Sequence, residues 1–288
     1  LLRAGRRMTT ILARTWYPAT MSLAILGFWF LLEAGTPTAM ATYIPVALAG
    51  VALLALERLF PERLLWRPQA ADVRADAAFL ALVQVALPRM LLLVTILLLS
   101  SWTHARTAAG FWPHGWPLLV QTVVMVLIVD LLRYWLHRAC HHFPALWRLH
   151  AVHHSPDILY VLNVGRFHPL EKMLHFAVDT VPFVMLGVDP RVIAGYFLLY
   201  SVNGFFQHSN LRLRYGWLNY VVGSAETHRW HHARDPQVAA CNFSNTTIVW
   251  DLVFGTWYLP QHESVKDLGV MDRAYPRGFL RQMREPFR

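Results

Sequence analysis

Long apolar runs dominate the first half of the chain. A membrane-crossing helix needs about 20 mostly apolar residues, and four stretches before the first histidine cluster meet that length, roughly 17–35, 39–56, 77–100 and 116–136. Pro88-Arg89 interrupts the third, which predicts a kinked helix with Arg89 turned toward protein or snorkelling to the interface. A later apolar stretch, Met173 to Phe206, breaks at Gly187-Val188-Asp189-Pro190 and reads as a helical hairpin that crosses or re-enters the bilayer. The last stretch, His262 to Arg288, is polar and mixed in charge and reads as a surface tail. No internal repeat or low-complexity linker is visible beyond a recurring His-x-x-His-His. The expected fold is an all-α integral membrane protein with about four transmembrane helices, a helical hairpin at 173–206 and a cytoplasmic, histidine-rich helical cap. It divides into 1–136 (amino-terminal tail and spans), 137–260 (histidine motifs) and 261–288 (tail).

Composition agrees with the apolar runs. Of 288 residues, 56% are hydrophobic and 15% charged, unlike a soluble globule. The formal charge of +9 comes mostly from arginines, which serve topology and attraction to anionic headgroups. They are dispersed among apolar runs with no nucleic-acid module, so nucleic acid is not an expected partner. Arg3, Arg6, Arg7 and Arg14 precede the first run, which reads as a retained anchor, and Arg58, Arg63, Arg67 and Arg74 follow the second. Gly35-Thr36-Pro37-Thr38 between them is uncharged, so the amino terminus is expected in the cytoplasm, and four crossings return the chain there at Arg133 and His137. The two cysteines, Cys140 and Cys241, make no disulfide framework and suit a reducing compartment.

Three histidine clusters give this membrane chain its chemistry: His137-Arg-Ala-Cys-His141-His142, His150-Ala-Val-His153-His154 and His228-Arg-Trp-His231-His232. On a helix of about 3.6 residues per turn, positions i+3 and i+4 each lie within roughly 60° of position i, so each cluster can offer two or three nitrogens toward a shared centre. A metal takes roughly four to six donors, fewer than the histidines gathered here, and two ions are the natural count. Imidazole suits zinc, copper, iron or nickel, so spacing alone leaves the metal open.

The ordered set of motifs from about Asp130 to Pro260 resembles the fatty acid hydroxylase and sterol desaturase superfamily of membrane-bound, histidine-rich di-iron enzymes. The matching text is Tyr134-Trp-Leu-His-Arg138, Leu146-Trp-Arg-Leu-His-Ala-Val-His-His-Ser155, Arg166-Phe-His-Pro-Leu-Glu171, Gln207-His-Ser-Asn210, His228-Arg-Trp-His-His232 and Trp250-Asp-Leu-Val-Phe-Gly-Thr256. The resemblance implies two irons, dioxygen as co-substrate, and hydroxylation of an unactivated lipid C–H bond with electrons from outside. It implies metal ligands at His137, His141, His150, His153, His154, His208, His228, His231 and His232. The family's H-x-x-x-H spacing favours His141 over His142. His168 is either a tenth ligand or a supporting group. Lipid hydroxylases of the group often carry a further histidine four residues before the one matching His208, where this chain has Gly204. Where relatives show Asp-x-Asn-Tyr-Gly, this chain has Ala240-Cys-Asn-Phe-Ser244.

Ligating imidazoles usually donate their second nitrogen to a carboxylate or carbonyl. Asp130 and Glu171 are the favoured partners, with Glu226, Asp235 and Asp251 also candidates. His104, His114 and His262 are assigned no metal, and His175 is expected to be a core histidine. Trp135, Phe167, Tyr196, Phe205 and Phe206 read as packing or interfacial aromatics. No segment is left for a fused haem or flavin domain, so a separate ferredoxin or cytochrome b-type donor is expected, docking on the basic rim. Two other readings remain: a lipid or sterol desaturase with the same centre, and a non-catalytic zinc-binding membrane protein, whose histidines would be expected in mid-membrane.

Overall fold

The computed structural model describes residues 2–106 and 111–288, with side chains for 11–98 and 111–288. The side chains of Arg3, Arg6, Arg7 and His104 lie outside the described residues. Helices α1 (Leu2–Glu33) and α2 (Thr38–Leu59) form the first antiparallel pair, turning at Gly35 with φ 76°. A third long helix runs from α3 (Ala70–Ala78) through a π-helical stretch (Phe79–Ala86) into α4 (Leu87–Arg106), and α5 spans Leu118–His142. Four segments are long and apolar enough to cross a membrane: Ile11–Glu33, Thr38–Leu59, Ala70–Leu98 and Leu118–His142. Together with the composition they make the chain an integral membrane protein. Their outward faces carry bare Leu23, Phe30, Val51 and Leu93, which suits contact with lipid tails.

The interruption expected at Pro88 takes a specific form. Proline has no N–H to give the preceding turn, and the turns ahead of it are widened into the π-helical stretch. Arg89 faces protein as expected: its Nε donates to Tyr43 Oη at 2.9 Å and its guanidinium lies over that ring.

Beyond α5 the chain folds into the cap through α6 (Pro144–His154), α7 (Pro169–Asp179), α8 (Val181–Met185), α9 (Pro190–His208), α10 (Ala225–His231), α11 (Pro236–Ala239), α12 (Val249–Phe254) and α13 (Phe279–Arg284). The hairpin expected at 173–206 turns at residues 187–189 as read from the sequence, and the structure adds detail to its legs. Its first leg starts at Pro169, breaks between α7 and α8 at Thr180, and buries Glu171, Lys172, His175 and Asp179 on its inner side. Only α9 has the length of a long leg, opening on the Asp189 side chain, which accepts from the Arg191 amide. α9 packs against α2 where Gly50 leaves room for the Phe205 ring, a small-residue contact of the kind that lets membrane helices approach closely.

The carboxyl-terminal stretch is not the loose surface tail expected from its polarity. Val265 and Leu268 are core residues, the Gly269 amide donates to the His232 carbonyl at 3.2 Å, and Phe279 lies edge-on to Phe79 at 4.7 Å. A few scattered buried positions anchor this stretch while its arginines stay outside, which masked its packing in the composition.

Buried carboxyl groups join the spans to the cap. Glu57 of α2 accepts from the amides of Val161 and Asn210, both at 3.1 Å. Asp76 of α3 receives Arg166 Nε at 2.6 Å and the Tyr160 hydroxyl. Asp130 of α5 accepts from the amides of Thr246 and Thr247 at 3.3 and 2.5 Å. With the Arg214 amide donating to the Ala13 carbonyl at 2.9 Å, the ends of all four spans nearest the cap are fixed to it.

The loop held by Asp130 runs against Gly223, where a Cβ would stand 2.5 Å from the Asn245 carbonyl oxygen. Gly223→Ala should therefore destabilise the cap by about 1–3 kcal/mol, the usual cost of overpacking. Thermal unfolding in detergent reads this directly, and an unchanged midpoint would refute the close approach.

Candidate metal centre

The nine histidines implied as ligands converge into two adjacent groups. His137, His141, His150, His154 and His231 form one, His153, His208, His228 and His232 the other, with the ligand atoms of each within 4.8 Å of one another. Successive helical residues point about 100° apart, so a His-x-x-His-His run cannot aim all three rings at one point. On α6, His150 and His154 go to the five-membered group and His153 to the other; on α10, His228 and His232 go to the four-membered group and His231 to the first. The two motifs thus interlock with opposite polarity, and His154 stacks on His232 at 4.4 Å. α5 adds His137 and His141 to one side, and α9 adds His208 to the other.

Five of these rings have an oxygen acceptor at Nδ1. His137 donates to the Phe243 carbonyl (2.7 Å), His150 to Glu171 Oε1 (2.6 Å), His153 to the Arg166 carbonyl (3.2 Å), His208 to Asn163 Oδ1 (2.9 Å) and His231 to the Cys241 carbonyl (2.8 Å). A carbonyl only accepts, so in a neutral ring the proton sits on Nδ1 and the Nε2 lone pair faces inward. His137 Nε2 and His150 Nε2 then meet at 3.0 Å with a lone pair each and no proton between them. A cation removes that conflict. At a metal–nitrogen bond of about 2.1 Å, donors at right angles stand about 3.0 Å apart, and His150–His154 and His228–His232 also meet at 3.0 Å between Nε2 atoms. His141 Nε2 and His231 Nε2 are buried with no hydrogen-bond partner among the described residues, as metal-facing nitrogens would be. The residues fit a pair of metal ions held by imidazole.

Burial and the neighbouring imidazoles push the pKa values of His153, His154, His228 and His232 well below the ordinary histidine range, and burial and His150 bring His231 down to about 3. These rings are therefore neutral at physiological pH, the form that ligates. Burial opposes the charge of Glu171, but His150 and His175 beside it hold its carboxyl below the usual carboxylate range. His175 touches Glu171 at 3.3 Å and belongs to neither group.

The remaining candidates separate clearly. Glu171 backs a group histidine, whereas Asp130 does not: its donors are the two loop amides. Asp251 accepts from the amides of Phe243 and Ser244 at 2.8 and 2.7 Å, so it fixes the turn whose carbonyl orients His137. Glu226 takes the Tyr215 amide and Asn219, and Asp235 caps α11 through the Gln237 amide. His168 caps α7, its Nδ1 accepting from the Leu170 amide while Nε2 faces the Met283 carbonyl, so it is no tenth member. His142 is exposed beside Phe143, leaving His141 as the grouped residue. Cys140 lies with His150 and Glu171 on the outer side of the five-membered group. Phe243 sets its ring 5.3–5.7 Å from those of His137, His141 and His231. The sequence did not reveal Asn163 or the carbonyls of Phe243, Arg166 and Cys241 as acceptors; a backbone acceptor has no residue signature.

A profile of the fatty acid hydroxylase family matches residues 122–256, the stretch that supplies every grouped histidine. The ornithine lipid hydroxylase OlsE of Rhizobium tropici is 28% identical over 292 aligned residues, covering 100% of this chain and 87% of that protein. The alkylglycerol monooxygenases of Xenopus tropicalis and Danio rerio are 27% and 30% identical over 57% and 48% of this chain, which spans only 35% and 30% of their lengths. No solved structure matches the chain. The motif order, the family match and the full-length likeness agree: residues 122–256 of this chain form a fatty acid hydroxylase domain.

Proposed function

We propose that this protein is a membrane-bound di-iron hydroxylase that inserts one oxygen atom into an unactivated C–H bond of a lipid. The observation that carries the reading is the pair of facing imidazole groups, one of five and one of four, at the cap end of the spans. Two irons held there would supply redox chemistry with dioxygen that zinc, which has none, does not. The balanced reaction takes the lipid, dioxygen, two electrons and two protons to the hydroxylated lipid and water.

The chain's own residues hold and aim that centre. Acceptors at Nδ1 turn the Nε2 atoms of five rings inward, Glu171 fixes the His150 ring, and Asp251 fixes the turn that fixes His137. Phe243 and Trp147 pack against His141 and keep water from that side. The apolar spans deliver the substrate laterally from the bilayer. The full-length likeness to an ornithine lipid hydroxylase makes an amino-acid-headed lipid the first substrate class to test. Electrons come from a separate carrier, a ferredoxin or a cytochrome b-type protein, and the arginine pattern supports a cytoplasmic amino terminus and histidine clusters.

Comparing lipids of a host with and without the gene should reveal a species heavier by one oxygen. Loss of two hydrogens would assign a desaturase instead, and an unchanged lipid profile counts against both. On anaerobically purified protein, Mössbauer spectra should show two irons per chain, while full activity with two zincs would overturn the redox assignment. His153→Ala should lose iron and turnover, whereas the exposed His114→Ala should keep both. Glu171→Gln keeps the shape but weakens the acceptor behind His150, and iron affinity should fall roughly 10- to 100-fold. Unaltered affinity would deny Glu171 its supporting role.

A further inference from the structure

Residues 211–215 form a strap across the cap end of the first two spans. The Arg212 and Arg214 amides donate to the carbonyls of Phe60 and Ala13, both at 2.9 Å. Burial alternates along the strap, as it does wherever successive side chains point to opposite sides. Leu211, Leu213 and Tyr215 enter the core, so Arg212 and Arg214 face outward together. Arg14, next to Ala13 on α1, joins them, and the three arginines line a cavity of about 360 Å³ with Gly216, Asn219 and Glu226. That volume exceeds what a lone ion needs and lies within the range of small-molecule sites.

The cavity is unbalanced in charge. Arg214 stands 3.4 Å from Glu62 and 4.0 Å from Glu226, whereas the side chains of Arg14 and Arg212 make no ion pair or hydrogen bond among the described residues. Glu226 is further committed to the Tyr215 amide and the Asn219 side chain, at 2.8 and 3.0 Å. Behind them lies Arg229, three residues after Glu226 and so on the same side of α10. It is buried, it donates from Nη2 to the Ser209 and Leu211 carbonyls at 3.1 Å, and its Nε has no partner among the described residues. Four guanidinium groups thus meet two carboxylates, and two positive charges are left over. Arg14 falls in the first turn of the span Ile11–Glu33, which sets the cavity at headgroup level. Trp217, between the lining residues Gly216 and Asn219, is 72% exposed, as suits an interfacial aromatic.

We propose that this cavity holds the phosphate headgroup of an anionic phospholipid from the cap-side leaflet, as a resident lipid and not as a substrate. Successive helical residues step about 100°, so His228, His231 and His232 lie about 120–160° around α10 from Glu226. A lipid seated here is on the far side of that helix from the metal centre. What it supplies is charge: its phosphate neutralises arginines that no residue of the chain pairs. It thereby joins α1, the 211–215 strap and α10, the helix that gives three rings to the two histidine groups. A lipid headgroup is favoured over an acidic protein because the guanidinium groups line a concavity at headgroup level.

Native mass spectrometry and thermal unfolding of the full chain, delipidated in a neutral detergent, test this. Phosphatidylglycerol should be retained at one per chain and raise the unfolding midpoint, and phosphatidylcholine of the same chain length should do neither. Arg14→Gln combined with Arg212→Gln removes no ion pair or hydrogen bond among the described residues, so the double variant should fold. Its affinity for phosphatidylglycerol should fall roughly fivefold per arginine, about 30-fold in all. Arg281→Gln, exposed on α13, should leave that affinity unchanged. Equal retention of phosphatidylcholine, an unchanged affinity in the double variant, or an equal loss in Arg281→Gln overturns the site. Inorganic phosphate that raises the midpoint as far as the lipid does would assign the cavity to a free anion. A double variant that keeps its lipid but no longer binds an acidic ferredoxin would assign the arginines to carrier docking. Each of those results also overturns the proposal, and none bears on the metal assignment, which iron content reads separately.

Discussion

Imidazole lone pairs brought to face one another in a space without water are the constraint on which this architecture rests. Buried rings resist protonation, so they cannot resolve their mutual repulsion by taking up protons; a bound cation resolves it. The surrounding protein therefore has one task at this place, to fix the second nitrogen of each ring so that the first has nowhere else to point. Carbonyls at Phe243, Arg166 and Cys241 and the side chains of Glu171 and Asn163 do so for five rings. These acceptors come from segments far apart in sequence, so the centre is only as well ordered as the contacts that gather them.

That gathering is done from the membrane side. Glu57, Asp76 and Asp130 sit near the cap end of three spans, each fully or nearly buried and each satisfied by donors from a histidine-bearing or acceptor-bearing segment. A buried carboxyl group is costly unless its hydrogen bonds are made, so each of these residues penalises any arrangement in which the cap slides over the bundle. The spans contribute position as well as anchorage. Arg166 illustrates the coupling: its guanidinium is tied to Asp76 of α3 while its carbonyl receives His153. A displacement of the third span would reach an imidazole through two hydrogen bonds.

The apolar runs and histidine spacings made much of this legible in the sequence. Span length follows from bilayer thickness, and each candidate span ends within several residues of its expected limits. The nine histidines could be named because their spacing is the family's spacing. Other features were hidden for physical reasons. Whether His153 joins His150 or leaves it depends on a 100° step around α6 and on which partner helix lies across from it, and that is tertiary information. Asp130, two turns before His137, looked like an imidazole partner by proximity in sequence, yet its carboxyl faces across to Thr246 and Thr247. The final 27 residues, polar in composition, bury every few positions against α3 and the cap, a pattern too irregular to read as a helix or strand.

The opposed use of the two His-x-x-His-His motifs also explains why a small change at α9 has a local outcome. In each motif the first and third rings commit to one side and the second to the other, so neither α6 nor α10 can move without disturbing both groups, and substitutions there act on the pair as a unit. α5 and α9 each serve one side only. A ring added or removed on those outer helices would alter one group while the shared six remain in place. The fold thus separates what must be held in common, the interlocked motifs, from what can be tuned, the number and backing of the rings that flank them.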